Sequence, residues 1–523
     1  MIPTAAPPLP RRDLALVLGL ALMVRAVVAL LQAHPGYMDA YYYTVGAQRL
    51  AGGYGFTEPY VWNYLDDPAA LPHSSHLYWM PLPSLLGAAA LAILGPGYRA
   101  MQAPFVLLAS LAPLLAYVLA WRVTARRRPA WLAALLLIFS GFYVPLWGVP
   151  ESFAPYAVFG SLALLLSSAR STPAALASGV CAGLAHLTRT DGVLLLIPAL
   201  WGHMERMKDE GGGMKRPFIL LHPSSLILGY LAVMLPWFIR NLNVIGSPLS
   251  PAGTQALWLC TYDELYSFGI RLDLNHWLAC GVDRIVAAKL SGLVSGLVHL
   301  IAENGLIFAA PFMAIGVWRL RREPIVRPAL VYLVLLYLAM TLGFTFVGER
   351  GGLFHSSAAL MPLLCAAAAI GLERVVDAAT RRIATWQFDR AVRGFGVLLV
   401  ALAVGLSAAI TFGRIIVSGW NRADMVYRDA GAWLAKRGEP DAIVAVGNPP
   451  GFTYHTGHAS IAIPNGGVDT LLAAARRFGA KFVLLEANLP APLLPLYNNP
   501  QRDARLRLVA ALDAAYLFEI DGR

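Results

Sequence analysis

LALVLGLALMVRAVVALLQ (residues 14–32) is the first long apolar stretch of the chain, and MDAYYY (residues 38–43) follows it closely. An apolar stretch of about 20 residues is long enough to cross the hydrocarbon core of a bilayer as a helix. The second stretch therefore lies where the chain leaves the membrane, and it places the carboxylate of Asp39 beside three tyrosines. The loop that continues to residue 80 is rich in Tyr, Trp, His and acidic side chains.

The overall composition is that of a membrane protein. Of the 523 residues, 58% are hydrophobic and 14% are charged, and the mean hydropathy is +0.59. Soluble domains are about half apolar and about a quarter charged. The formal net charge of +11 could indicate nucleic acid, but the basic residues gather in short clusters between apolar stretches, as in cytoplasmic loops. The sequence predicts a polytopic membrane protein without a nucleic-acid partner.

The apolar pattern predicts about eleven transmembrane helices between residues 14 and 417, and two of them are expected at 130–148 and 191–203. Segment 81–95 is short and bounded by Pro and Gly residues, so we expect a juxtamembrane or re-entrant helix there. The clusters of basic residues, such as Arg126 to Arg128, then fall on one side of the membrane. The positive-inside rule makes that side cytoplasmic. The protein should thus lie in the inner or plasma membrane, with a cytoplasmic N-terminus and an extracytoplasmic C-terminal domain.

Two domains are predicted. Residues 1–417 should form the transmembrane domain, including the outer loop 33–100. Residues 418–523 show helical spacing that alternates with short apolar segments at 442–446 and 481–485, which is typical of a small α/β domain with a partly parallel sheet. The expected fold class is an α-helical polytopic membrane protein with this small soluble domain at its C-terminus.

The outer loop is the first place to look for chemistry. Connecting loops longer than about 12–15 residues tend to be functional or disordered, and this one is too aromatic for disorder. Asp39 could act as a catalytic acid or base, or it could merely cap the helix that follows it. The aromatic side chains could bind a sugar, although an interfacial Tyr/Trp belt explains them as well.

The motifs of this loop resemble those of the GT-C superfamily of integral membrane glycosyltransferases. They comprise Asp39-Ala40-Tyr41-Tyr42 after the first span, a helix of small residues, Gly53-Tyr54-Gly55-Phe56, and Trp79-Met80-Pro81-Leu82-Pro83 at the return to the membrane. The branch with protein O-mannosyltransferases and lipid A aminoarabinose transferases is the most similar. This resemblance implies a sugar donor carried on polyprenyl phosphate and an acceptor that is a lipid, a glycan or a protein.

The resemblance also implies a role for Asp39. The acid at this position serves as the general base, or orients the acceptor hydroxyl, in a single displacement that inverts the anomeric centre. Glu151, in a second outer loop, matches another acidic position of these families and is the second candidate for a catalytic residue. It could instead interact with the dipole of the next helix.

Cations are needed for the phosphate that leaves with the carrier. Arg189 resembles the basic residue that relatives carry in the corresponding turn, and an ion pair with Asp191 is compatible with that role. Other candidates for donor phosphate binding are Arg350, His355, His73 and His76. The Gly-rich segment 348–355 could approach a phosphate or could be a simple turn.

The remaining predictions concern the pocket, metals and cysteines. The substrate pocket is expected to include Tyr42, Tyr43, Trp62, Tyr78, Trp79, Glu303 and Asn304. No cofactor is expected, and although other branches of the superfamily use a divalent cation, no metal site is assigned here. Cys260 and Cys280 share one predicted outer loop and could form a disulfide.

One motif departs from the family. Lipid A aminoarabinose transferases carry an acid-Lys-Pro-Pro motif before the membrane return, where this chain has Tyr78-Trp79-Met80-Pro81. Aminoarabinose transfer to lipid A is therefore not implied. Two alternatives stay open, a transporter or flippase of lipid-linked sugars and a glycan ligase that uses a polyprenyl-diphosphate donor.

Overall fold

The computed structural model describes residues 8–169, 171–208, 216–422, 424–513 and 515–521. The helices in these residues are α1 (Arg11–Leu30), α2 (Met38–Ala51), α3 (Leu82–Leu94), α4 (Tyr98–Thr124), α5 (Arg127–Ile138), α6 (Phe153–Leu166), α7 (Thr172–Thr188), α8 (Leu196–Lys208), α9 (Arg216–Ile245), α10 (Pro251–Gln255), α11 (Leu274–Ala279), α12 (Val282–His299), α13 (Ala310–Leu320), α14 (Arg327–Leu338), α15 (Thr345–Val347), α16 (Leu353–Ser357), α17 (Met361–Thr380), α18 (Phe388–Phe412), α19 (Met425–Lys436), α20 (Pro449–Thr456), α21 (Val468–Phe478) and α22 (Leu494–Asn498). The strands are β1 (Thr57–Glu58), β2 (Tyr60–Val61), β3 (His73–Ser74), β4 (Ile443–Val446), β5 (Ser460–Ala462), β6 (Ala480–Glu486), β7 (Leu506–Leu512) and β8 (Ala515–Ile520).

Several helices are apolar enough to cross a membrane. Within the described residues, six have both the length and the composition to do so: Arg11–Leu30, Tyr98–Thr124, Pro223–Ile245, Val282–Asn304, Thr345–Thr380 and Phe388–Val417. Four shorter apolar helices accompany them, at Leu82–Leu94, Phe153–Leu166, Ala310–Leu320 and Arg327–Gly343. The protein is thus a multi-pass membrane protein, as predicted, whereas the count of eleven spans stays a prediction.

Two predicted spans are interrupted in the structure. The span predicted at 130–148 ends as an α-helix at Ile138, and a short 3₁₀ helix follows at Gly141–Tyr143. Gly141 has a φ of +57°, and its backbone N–H donates to the hydroxyl of Ser407 at 3.0 Å. In the span predicted at 191–203, a 3₁₀ turn precedes α8. Irregular backbone is tolerated at membrane depth where other parts of the protein satisfy its polar groups.

The chain folds as two compact units. The first comprises Met1–Leu31, Gln102–Leu242 and Ala288–Val417, and the second comprises Gln32–Met101, Asn243–Ala287 and Ser418–Arg523. The sequence assigned the outer loop to the transmembrane domain, but in the structure this loop belongs to the same unit as the C-terminal region.

Close helix contacts hold the first unit together. A Cβ atom on Gly316 of α13 would lie 1.9 Å from the carbonyl oxygen of Ala367 in α17, and one on Gly371 would lie 1.9 Å from that of Phe312. These glycines therefore permit the two backbones to touch, which is how membrane helices gain packing energy.

The second unit contains a six-stranded sheet with the order β2-β5-β4-β6-β8-β7. Strands β2, β5, β4 and β6 are parallel neighbours, and β8 and β7 continue the sheet antiparallel. The predicted α/β structure of the C-terminal region, with a partly parallel sheet, is confirmed. The addition of β2, which comes from the outer loop and pairs Tyr60 with Ser460, was not predicted.

Alternation along the strands builds a core on each face of this sheet. In β6, Val483 and Leu485 are buried in one hydrophobic cluster with residues of α21, whereas Phe482 and Leu484 are buried in another with residues of α19. Because successive side chains of a strand point to opposite faces, a run of apolar residues is what a strand covered on both faces requires.

Candidate active site

Asp39 lies in the first turn of α2. The N-cap residue of this helix is Tyr37, so Asp39 is not itself the N-cap, and its carboxylate lies where the helix dipole stabilises a negative charge. The side chain is half-buried. Burial, followed by the charges of Tyr262 and Asp39, raises the pKa of Tyr266. Asp39 therefore lies within electrostatic range of a tyrosine of the same unit.

The predicted pocket aromatics of the second unit form one packed cluster. The rings of Trp62 and Trp79 stack in parallel with their centroids 4.0 Å apart, and Tyr78 meets Trp62 edge-on at 5.1 Å. Tyr42, Tyr43 and Trp62 are at most 3% exposed, whereas Tyr78 and Trp79 are half-buried. Of these five side chains, Tyr78 and Trp79 are therefore the ones that a ligand can reach.

His73 and His76 use their ring nitrogens inside the outer loop. Those of His73 lie 2.9 and 3.0 Å from backbone carbonyl oxygens, and the ring also lies 3.3 Å from the carboxylate of Glu58. Those of His76 lie 2.7 and 2.9 Å from the hydroxyls of Ser75 and Ser84. These contacts stabilise the loop, and we do not include either histidine in the phosphate site proposed below.

In the first unit, Glu151 and His355 come together. Glu151 is 1% exposed, and its carboxylate accepts hydrogen bonds from the Ser152 hydroxyl at 2.7 Å and the Phe153 N–H at 3.3 Å. The Nδ1 atom of His355 lies 3.2 Å from the same carboxylate, and its ring stacks on Phe153 at 4.0 Å. Burial by itself would raise the pKa of Glu151, but the charge and hydrogen bond of His355 and the Ser152 contacts outweigh it and lower that pKa.

Arg189 lies at the junction of α7 and the following 3₁₀ turn. Its Nε donates to Asp191 at 3.0 Å and to the hydroxyl of Ser356 at 2.9 Å, and Ser356 in turn donates to Asp191. The ion pair that the sequence suggested is therefore present. Because Ser356 directly follows His355 in α16, Arg189 and His355 belong to one local arrangement.

A third network supports the other side of α16. The Nδ2 atom of Asn304 donates to the hydroxyls of Tyr143 and Ser357, each at 3.0 Å, and the Tyr143 hydroxyl donates to the carbonyl of Phe354 at 2.8 Å. Asn304 was predicted to line the pocket, but it is 1% exposed and holds the helix that carries His355.

Two further predicted residues lie elsewhere in the first unit. Glu303 pairs with His299 one helical turn earlier, at 2.9 Å. Arg350 is exposed at a bend in the segment Gly348–Gly352, where Gly351 has a φ of +112° that favours glycine. The Gly-rich segment is thus an irregular turn that leads into α16.

Cys260 and Cys280 are joined by a disulfide, with their Cα atoms 6.2 Å apart. The Nε2 atom of His276 lies 3.6 Å from the sulfur of Cys260 and 3.2 Å from the carboxylate of Glu264. These donor types suit zinc. Both sulfurs are nevertheless bonded to each other, so the cluster is a cross-link of its loop.

The structure has the same fold as three solved membrane proteins. ArnT from Cupriavidus metallidurans bound to undecaprenyl phosphate is 14% identical, with a TM-score of 0.61 over 98% of each chain. The archaeal oligosaccharyltransferase AglB from Archaeoglobus fulgidus, in complex with an inhibitory peptide and a dolichol-phosphate, is 14% identical with a TM-score of 0.58 over 91% of this chain and 69% of AglB. The arabinofuranosyltransferase AftD from Mycobacteria is 13% identical, with a TM-score of 0.51 over 99% of this chain and 42% of AftD.

All three neighbours are GT-C glycosyltransferases, and the chain has their fold, which is the fold that the resemblance of the outer-loop motifs implied. No protein-family model matches the chain, and no curated protein matches it in sequence.

The structure thus brings Glu151, Arg189 and His355 together in the first unit, and sequence analysis missed the serines that connect them. Ser152 and Ser356 each lie beside a predicted residue, but serine is too common for its spacing to be informative. His73 and His76 are bonded within the outer loop of the second unit.

Proposed function

We propose that this protein is a glycosyltransferase that moves a sugar from a polyprenyl-phosphate carrier to a hydroxyl acceptor at the outer leaflet of the inner or plasma membrane. The observation that carries the proposal is the shared fold over 98% of both chains with ArnT, whose structure holds undecaprenyl phosphate. The acceptor is a lipid, a glycan or a protein.

In the proposed reaction, Asp39 is the general base. The acceptor hydroxyl attacks the anomeric carbon as the bond from that carbon to the phosphate oxygen breaks, and Asp39 takes the hydroxyl proton. A new glycosidic bond forms, the configuration inverts, and polyprenyl phosphate leaves with the bonding electrons. The position of Asp39 in the first turn of α2 favours its ionised form, which is the form that a base needs.

Arg189 and His355 are the proposed ligands of the donor phosphate, with Arg350 as a third cation. A guanidinium presents several N–H donors in a plane and suits phosphate oxygens. Asp191 and Ser356 fix the orientation of Arg189, and Glu151 with Ser152 fixes the ring of His355. In this scheme Glu151 acts through His355.

The sugar itself would contact Tyr78 and Trp79, since their rings are half-buried whereas the rest of the cluster is packed. We propose an extracytoplasmic C-terminal domain and a cytoplasmic N-terminus, as the distribution of basic residues favours. We also propose that turnover needs no cofactor, since carboxylate, guanidinium and imidazole groups cover proton removal and phosphate binding.

A second candidate function is a glycan ligase with a polyprenyl-diphosphate donor. The shared fold with AglB, an oligosaccharyltransferase, favours this alternative over a transporter of lipid-linked sugars. The chemistry at the acceptor would be the same, and the leaving group would be a diphosphate.

The test is a donor panel. The purified full-length protein in lipid nanodiscs is incubated with undecaprenyl-phosphate hexoses, pentoses and aminosugars, with their diphosphate counterparts, and with a membrane extract as acceptor. Loss of sugar from the carrier is measured by mass spectrometry, with and without EDTA. We expect turnover of a monophosphate donor that EDTA does not change.

Asp39→Asn should abolish this turnover while donor binding persists. Asp67→Asn is the matched control, because Asp67 is an exposed acid of the same loop that pairs with Arg477. Turnover by Asp39→Asn at the wild-type rate would remove Asp39 from the mechanism. Turnover of diphosphate donors alone would favour the ligase, and a protein that moves intact donors across the bilayer without cleaving them would be a transporter.

A further inference from the structure

The C-terminal region binds the segment that leads into α2. The indole N–H of Trp420 donates to the carbonyl of His34 at 2.9 Å, and the side chain of Asn421 accepts from the N–H of Ala33 at 2.8 Å. Gly36, with a φ of +83°, lies so close under the indole that a Cβ atom there would be 2.2 Å from it. All of these residues belong to the second unit.

A directional chain of hydrogen bonds continues this contact into α2 itself. The hydroxyl of Tyr41 donates to Asp424, and its oxygen lies 3.0 Å from Nε2 of His455. Arg428 donates to Nδ1 of the same ring at 3.2 Å, so Nε2 carries the ring proton and donates to Tyr41. Burial, followed by the charges of Arg428 and His34, lowers the pKa of His455 to about 4, which keeps this ring neutral at physiological pH.

Asp424 does not make the hydrogen bond that is usual for an aspartate at its position. It is the N-cap residue of α19, where an aspartate ordinarily accepts a hydrogen bond from the first turn. Within the described residues its side chain makes no such capping bond, and its carboxylate accepts from Tyr41 instead. Asp424 thus serves α2 rather than its own helix.

Tyr41 and Asp39 leave α2 on opposite sides. Two residues along an α-helix correspond to a rotation of about 200°. A bond to Tyr41 therefore fixes the rotation of the first turn without touching the carboxylate on the other side. Tyr41 is 1% exposed, and its ring also packs against Tyr454 at 5.2 Å.

We infer that Tyr41 and Asp424 are positioning residues for Asp39, and that the C-terminal domain orients the first turn of the helix that carries the proposed base. This inference rests on the proposed function. It gives the domain a role in catalysis that does not require it to touch donor or acceptor.

The test compares Tyr41→Phe, Asp424→Ala and Asp424→Asn in the full-length protein, on the undecaprenyl-phosphate sugar that the wild type turns over. Tyr427→Phe is the matched control, because its hydroxyl lies 3.0 Å from both carboxylate oxygens of Glu486, so the same kind of bond is made to β6 rather than to α2.

For Tyr41→Phe and Asp424→Ala we expect kcat to fall roughly 10- to 100-fold, since a misplacement of about 1 Å costs about 100-fold. The donor KM should stay within about twofold, because the bond does not contact the donor. Asp424→Asn should recover most of the rate, since its amide oxygen still accepts from Tyr41. The Tyr427→Phe control should keep the wild-type kcat.

Hydrogen–deuterium exchange provides a readout that is independent of turnover. Residues 33–45 should exchange faster in Tyr41→Phe and Asp424→Ala than in the wild type or in Tyr427→Phe. Unchanged exchange, unchanged kcat, or an equal loss in Tyr427→Phe would each overturn the inference. If the wild type is active and Asp39→Asn is inactive, wild-type kcat in Tyr41→Phe refutes this inference and leaves the proposed function standing. A wild type that turns over no donor of the panel refutes the proposed function, and the inference falls with it.

Discussion

Glu486 offers a stability prediction whose size follows from the structure. This residue ends β6, and the hydroxyl of Tyr427 lies 3.0 Å from both of its oxygens. Burial raises the pKa of Glu486 from 4.5 to about 7, the Tyr427 hydrogen bond opposes this rise, and the charge of Asp424 adds to it. The ionised carboxylate is therefore poorly accommodated in the folded domain.

The free-energy cost depends on pH in a defined way. A rise from 4.5 to about 7 corresponds to about 3 kcal/mol, at about 1.4 kcal/mol for each pKa unit. The pKa of Glu486 is higher in the folded state than in the unfolded state, so folding favours the protonated carboxyl. This contribution to stability is fully present below pH 4.5, and it is lost as the pH rises through 7. Glu486→Gln removes the charge and keeps an acceptor for Tyr427. We expect it to stabilise the domain by about 3 kcal/mol at pH 8 and by little at pH 4.

The assay is native-state hydrogen exchange of β6 in the full-length protein. A gain of about 3 kcal/mol should slow the exchange of 480–486 by about 100-fold at pH 8, after correction for the intrinsic rate. Glu439→Gln is the control, because it loses only a partly exposed ion pair with Lys481, and such pairs contribute about 0–1 kcal/mol. Exchange of Glu486→Gln at the wild-type rate at pH 8, or a gain of equal size at low and high pH, would refute the reasoning.

The predictions for the first unit test its proposed phosphate site. Arg189→Ala should raise the donor KM about 10- to 100-fold, as expected for the loss of a charged hydrogen-bond donor worth about 1.5–3 kcal/mol, and an unchanged KM would exclude Arg189 from donor binding. Glu151→Gln should reduce turnover because it replaces the ion pair between Glu151 and His355 with a weaker, uncharged contact. The pKa of Glu151 is lowered in the folded state, so the ionised carboxylate stabilises the wild type at neutral pH. The wild type should therefore unfold at a higher temperature than Glu151→Gln at pH 7, and this difference should shrink as the pH falls below about 5. A constant difference in stability between the two proteins from pH 7 to pH 4 would contradict the lowered pKa of Glu151.

The features that the sequence predicted well depend on local patterns. Apolar length identified the membrane helices, and the alternation of helical and strand-like segments after Val417 identified the α/β domain. The helix that carries Asp39 and its neighbouring tyrosines could also be predicted, because these residues follow the first membrane span directly in the chain. In each case the relevant neighbours are close in the chain.

The features that the sequence did not predict depend on distant partners. The sequence could not show which aromatic residues of the outer loop a ligand can reach, because this depends on packing: Trp62 is 3% exposed and stacks on Trp79, which is half-buried. A histidine pattern suggested phosphate ligands, but Ser75 and Ser84 occupy the ring nitrogens of His76. The arrangement of Arg189 with Ser356 joins residues that are 167 positions apart, which no local pattern reveals.

The position of β2 in the sheet limits which fragments and chimaeras of this protein can fold. It supplies two residues of the outer loop, yet its pairing partner β5 is translated about four hundred residues later. The sheet can therefore be completed only after all the residues between β2 and β5 have been translated, and contacts of such long sequence separation form slowly. A fragment that begins at residue 418 would present β5 as a bare edge prone to self-association. A chimaera that exchanges the C-terminal region with that of another protein would need to carry β2 (Tyr60–Val61) along with it.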